Sequence, residues 1–119
     1  MGTDIHGWIE VKETGGWRSS MTIGLPIRNY RLFSLMAGAR CVVEPLIEPR
    51  GFPEDCCWYG RETVGEGMDH SISWLTTQEL RAVREKLEGE SAELNAWLAA
   101  METLEKHYPE VRLVFGFDS

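Results

Sequence analysis

A chain of 119 residues, 43% hydrophobic and 26% charged, carries enough apolar material to core a single domain spanning 1–119 and too much to stay disordered. Its net charge of −7 argues against nonspecific nucleic-acid binding, which relies on clustered cations facing phosphate. The three cysteines, Cys41 and the adjacent pair Cys56-Cys57, form neither a disulfide framework nor a zinc ligand set, so three buried or half-buried thiols are expected.

The opening residues Met1-Gly2-Thr3-Asp4 lack the basic and apolar regions of a secretory leader. His6 stands where a myristoylation motif needs Ser or Thr, and no apolar run is long enough to span a bilayer. A cytosolic location is therefore expected. Asp4 to Lys12 alternates, with Ile5, Ile9 and Val11 on one face and Asp4, His6, Trp8 and Glu10 on the other, the pattern of a half-buried strand. Thr14-Gly15-Gly16 predicts a turn, Trp17 to Ile23 the returning strand of a hairpin, and Leu25-Pro26 its end. Asn29 is a good N-cap for a short helix carrying Leu32, Leu35 and Met36, stopped at Gly38.

Arg40 to Asp69 is rich in Pro and Gly and has no sustained period. It reads as a long ordered loop, because Phe52, Trp58, Tyr59 and the cysteines ask for burial; Val42-Val43 suits a short strand. His70 to Leu75 is a further short strand. Thr76 and Glu79 have capping-box spacing ahead of a helix burying Leu80, Val83 and Leu87. Ser91 starts a longer helix, with an apolar stripe from Leu94 through Leu104 to Tyr108, closed by Pro109. Val111 to Phe117 is the last strand, with Val111, Leu113, Phe115 and Phe117 on one face and Arg112, Val114 and Gly116 on the other. The fold class is α+β: a small antiparallel sheet with two C-terminal helices on one face and a long ordered loop.

Charge is unevenly spread. Arg18 to Arg61 holds six Arg, no Lys and four acids, a local +2; Thr76 to Glu110 holds eight Glu against four basic residues, a local −4. An arginine-only basic region suits carboxylate or phosphate recognition, since the guanidinium is a planar fork. Three constellations follow. Asp4-x-His6 puts a carboxylate and an imidazole on one face of a strand. Asp69-His70-Ser71 follows a glycine-rich stretch; its Ser and His would point apart in an extended segment, which argues against a nucleophile pair. Pro49-Arg50-Gly51-Phe52-Pro53-Glu54-Asp55 holds Arg50 in a stiff loop, aimed either at an anion or at Glu54 or Asp55 in an ion pair. No Walker loop, dinucleotide fingerprint, zinc motif or nucleophile elbow is present, so no cofactor, metal site or catalytic residue is assigned.

Taken together, Met1-Gly2-x-Asp4-Ile5-His6, Arg28-Asn29-Tyr30-x-Leu32-Phe33, Pro49-Arg50-Gly51-x-Pro53-x-Asp55, His70-Ser71-x-Ser73-Trp74-Leu75 and Val111-Arg112-x-Val114-Phe115-x-Phe117-Asp118 resemble a group of small tailed-bacteriophage and prophage proteins with no assigned activity. The resemblance runs nearly end to end. It implies a phage accessory protein in the cytoplasm of a bacterial host, where such proteins often antagonise host defence.

Two functions are weighed. The favoured one is binding, either of a nucleotide or other anionic small molecule in a pocket of Asp4, His6, Arg28, Arg50, Asp69, His70 and Arg112 with Trp8 or Trp58 as a stacking surface, or of a host protein that the chain inhibits. The alternative is a small hydrolase or phosphoesterase using His6 and His70 with Asp4 or Asp69. The distance between His6 and His70 discriminates between them. A homo-oligomer is compatible with either.

Overall fold

The structure is a computed structural model that describes residues 2–24 and 27–119. Four antiparallel strands, β1 (Asp4–Glu13), β2 (Gly16–Ile23), β3 (His70–Thr76) and β4 (Val111–Asp118), form one sheet in the order β2-β1-β4-β3. Among the described residues, four α-helices accompany them: α1 (Tyr30–Ala37), α2 (Trp58–Thr63), α3 (Thr77–Lys86) and α4 (Ala92–Leu104). This is the expected α+β architecture. The two ends of the chain meet at its centre, with β1 and β4 in register from Asp4↔Asp118 to Val11↔Val111.

Local chemistry sets the element boundaries. Glu13 pairs with Gly16, so Thr14 and Gly15 make the hairpin turn; the Leu25-Pro26 end of the hairpin lies outside the described residues. The Asn29 side chain accepts a hydrogen bond from the Leu32 amide at 3.1 Å, and Gly38 closes α1 in the left-handed region at φ 74°. Thr76 and Glu79 form a reciprocal capping box at α3, and Ser91 caps α4. The last helix ends earlier than its apolar stripe suggests: α4 stops at Leu104, and turns carry the chain through Tyr108, whose amide still donates to the Leu104 carbonyl.

The helix side of the sheet is hydrocarbon. Ile5, Ile9, Val11, Leu113, Phe115 and Phe117 pack against Leu32 and Phe33 of α1, Leu80 and Val83 of α3 and Leu94, Leu98 and Met101 of α4. The opposite side departs from expectation. It is not a solvated polar face, because the segment preceding β3 lies across it and forms a second apolar cluster of Trp8, Met68 and Val114 with Phe52, Val64, Ile72 and Trp74. Glycines make the close approach: a Cβ on Gly60 would stand 2.5 Å from the Trp8 indole.

Three details of this segment differ from the sequence reading. Val42-Val43 is not a strand; it follows a 3-10 turn (Ala39–Cys41) in which Arg40 (φ 68°) and Cys41 (φ 47°) are left-handed, so no extended run begins there. Trp58 and Tyr59 are not buried but 72% and 63% exposed, because α2 turns Gly60 toward the sheet. Cys41 is exposed, while Cys56 is half-buried and Cys57 buried. Among the described residues, no helix is long and apolar enough to cross a membrane.

Candidate functional site

Alternation along β1 places Asp4, His6, Trp8 and Glu10 on the face covered by the loop segment. Its Glu10 end is sealed. Glu10 is 0% exposed; its Oε1 accepts from Arg112 Nε at 2.8 Å, and its Oε2 accepts from Trp8 Nε1 at 2.7 Å and the Cys57 amide at 2.8 Å. Arg112 also donates to Asp55 Oδ1 at 3.1 Å and stacks 3.7 Å over the Trp17 ring, whose Nε1 donates to Asp55 Oδ2. Burial opposes ionisation of Asp55, but the hydrogen bond and charge of Arg112 prevail and hold its carboxyl below the usual range. The neighbouring Cys56 thiol is pushed up to about 12, by burial first and then by the Glu10 charge, which leaves it unreactive at neutral pH.

Arg50 is committed as well. Its guanidinium pairs with Glu79, donates to the Trp74 carbonyl at 3.0 Å and lies 4.4 Å over the Trp74 ring. The hydrogen bond from Arg50 holds the Glu79 carboxyl low. The partner is thus the capping glutamate of α3, not Glu54 or Asp55 as spacing suggested. Trp74 stands between Arg50 and Arg112, so the two cations and the Trp17 and Trp74 rings form one alternating stack across the sheet.

The Asp4 end of β1 is open. A cleft of about 660 Å³ is lined by Asp4, Ile5, His6, Thr22, Ile23, Gly24, Ile27, Arg28 and Val64, within the range of small-molecule sites. Arg28 Nε donates to Asp4 Oδ1 at 3.0 Å, with the two side chains 57% and 43% exposed. The guanidinium lies against Gly2, where a Cβ would come within 2.1 Å of Nη1. His6 Nε2 is 2.5 Å from Asp118 Oδ2, both side chains about one-third exposed. The carboxylate fixes the ring's orientation. Asp4 and Asp118 are direct cross-strand partners, so a second carboxylate stands beside the Asp4 wall of the cleft, each of the two in contact with a different basic side chain.

The seven residues singled out by sequence therefore fall in three places. Asp4, His6 and Arg28 share the cleft. Arg50 and Arg112 belong to the stack, and both are tied to carboxylates. Asp69 is exposed and His70 lies at the other edge of the sheet. The three arginines do not converge: Arg28 meets β1 at Asp4 and Arg112 meets it at Glu10, six residues or about 20 Å along the strand. Trp8 is fully buried and offers no stacking surface. His6 and His70 are on opposite faces, since His6 lies opposite Gly116 whereas His70 pairs with Phe117 and stacks on its ring.

One expectation fails in the other direction. Ser71 and His70 do meet, Oγ to Nδ1 at 3.0 Å, because Ser71 is left-handed (φ 53°) at a bulge in β3, and His70 Nε2 contacts Ser119 Oγ at 2.7 Å. Asp118, the partner of His6, is not among the residues that the sequence singles out for the site. Its signal is the facing alternation of the first and last strands, which pairs the acids once those strands are adjacent. Gly2 carries no readable signal of its role beneath Arg28.

Among the described residues no three His, Cys, Asp or Glu side chains are grouped so as to hold a metal ion. No family model, curated protein or solved structure matches the chain.

Proposed function

We infer that the protein acts by binding a small molecule in the cleft at the Asp4 end of β1, with an acidic group of the ligand on Arg28 and its apolar part against Ile5, Ile23, Ile27 and Val64. The observation that carries this reading is the state of the arginines. Arg112 is held by a fully buried glutamate and Arg50 by a half-buried one, so releasing either cation leaves a desolvated carboxylate behind. Among the described residues, Arg28 is held by a partner that water already reaches, so exchange of Asp4 for a ligand anion costs little. The resemblance to tailed-phage proteins supports placing this activity in an infected bacterium. The catalytic alternative loses its two-histidine basis once His6 and His70 lie on opposite faces.

The test is a nuclear magnetic resonance titration of the protein with a panel of small acids, amines and nucleotides. Binding should shift resonances of His6, Thr22 and Ile23, and Arg28→Ala should abolish those shifts while Arg50→Ala leaves them. Shifts centred on Trp74 instead would sink the assignment. A second reading, capture of a host protein, is favoured by one observation: the exposed Trp58 and Tyr59 side by side on α2, residue types enriched at interface hot spots. It requires that Trp58→Ala with Tyr59→Ala loses a partner that the unaltered protein retains.

A further inference from the structure

We propose that the ligand of this cleft is a zwitterion of the amino-acid class, carrying an ammonium, a carboxylate and an apolar side chain on one carbon. The inference rests on the cleft being a binding site and specifies its chemistry. Asp4, His6 and Arg28 line the cleft, and Asp118 adjoins them through its contact with His6. Asp4 and Asp118 are cross-strand partners on one face, an arrangement that brings Cβ atoms to about 5 Å and is unfavourable for like charges unless cations intervene. The basic partners come from outside that pair: Arg28 donates to Asp4, and the His6 ring nitrogen lies in hydrogen-bond contact with Asp118. The charge of Arg28 is favoured first by the hydrogen bond it donates to Asp4 and by the charge of Asp4, and least by that of Asp118.

Consider what each ligand class does to this set. A simple anion that takes Arg28 strips Asp4 of its partner and leaves it facing Asp118, so the site exchanges one ion pair for another and adds a repulsion. A simple cation between the two carboxylates relieves their repulsion but leaves Arg28 competing for Asp4. A zwitterion answers both: its carboxylate occupies the guanidinium fork, and its ammonium replaces Arg28 beside Asp4 and Asp118. Arg28 can turn between the two partners because it lies on Gly2, with no side chain beneath it. The remaining walls, Ile5, Ile23, Ile27 and Val64, suit an apolar side chain, and about 660 Å³ exceeds what a single amino acid needs.

Isothermal calorimetry decides the matter with inorganic phosphate and three probes sharing one apolar body: L-phenylalanine, 3-phenylpropanoate, which lacks the ammonium, and L-phenylalaninamide, which lacks the carboxylate. L-Phenylalanine should bind at least tenfold more tightly than either, and Asp4→Asn should reduce its affinity toward that of 3-phenylpropanoate. Circular dichroism and the thermal midpoint of that variant guard against misfolding. If 3-phenylpropanoate or inorganic phosphate binds as tightly as L-phenylalanine, with resonances at His6 and Thr22 shifting, the zwitterion proposal is overturned while the cleft stands as an anion site. If no probe binds at millimolar concentration, both the ligand class and the cleft reading fail.

Discussion

The two ends of β1 carry the same kind of residue on the same face and have opposite fates. At one end Glu10 is enclosed by Arg112, Trp8 and the Cys57 amide, with no exposure at all; at the other, Asp4 and His6 pair with Arg28 and Asp118 at the wall of an open cleft. Strand alternation fixes which face a side chain shares, but what lies over that face decides whether a charge is structural or available. Here the loop segment, Phe52 and the Gly60 turn of α2, covers Trp8 and Glu10 and leaves the Asp4 end open.

The most severe test of that contrast is Glu10→Ala. It leaves Arg112 buried with only the largely exposed Asp55 as a partner, a change that costs about 3–5 kcal/mol and lowers Tm by more than about 10 °C on the size scaling of small domains. Replacing Glu10 and Arg112 together by apolar residues should restore much of that loss, because it is the unpaired charge that is destabilising. A double substitution as damaging as the sum of the singles would show that the two ends do not differ in this way. Next in size is Gly60→Ala, which pushes a methyl group into the Trp8 indole. Overpacking of this kind costs about 1–3 kcal/mol, read as a lower midpoint of urea unfolding with an unchanged slope.

Arg50 lies between the extremes. Its half-buried pair with Glu79 and its stack on Trp74 make Arg50→Ala destabilising by about 1–2 kcal/mol, whereas a ligand-binding Arg50 would leave Tm unchanged. Acid should have the same target. Glu79 is held below its ordinary 4.5 by Arg50, and Asp55 below its ordinary 3.8 by Arg112 against the effect of burial. Groups with depressed native values contribute stability that is complete above the unfolded-state values and is lost as pH falls through the native ones. Stability should therefore decline below about pH 4.5, and Glu79→Gln should flatten the upper part of that decline.

Much of this fold is written in local signals. Asn29, Gly38, the Thr76–Glu79 box and Ser91 each act within one helical turn, so their geometry follows from residue type and spacing alone. The division of β4 between a Leu113–Phe115–Phe117 face and an Arg112–Val114–Gly116 face is equally local and holds in the structure. The site is less legible because its partners are far apart in the chain: Asp118 lies 112 residues from His6, and Arg112 lies 102 from Glu10. The Ser71–His70 contact escaped for a different reason. It depends on one residue adopting a left-handed backbone, which a serine in a strand pattern does not announce.

The smallest expected effect on stability is at the open end, and it is the one most informative about function. Arg28→Ala removes an ion pair whose members are each about half exposed, and such pairs are weak because water screens them and long side chains lose freedom in forming them. Tm should not move beyond experimental scatter, while ligand-induced shifts at His6 and Thr22 disappear. Gly2→Ala probes the same guanidinium without removing its charge, since a methyl group at that position occupies the space where Nη1 now lies. The side chain can swing clear, so folding should be untouched; affinity should fall because Arg28 is no longer directed along the cleft wall. If Gly2→Ala weakens binding and a lysine at position 28 fails to restore what Arg28→Ala loses, the fork geometry of the guanidinium is what the ligand reads. If lysine restores it fully, charge alone is sufficient, and the Asp4 end differs from the Glu10 end only in its exposure to water.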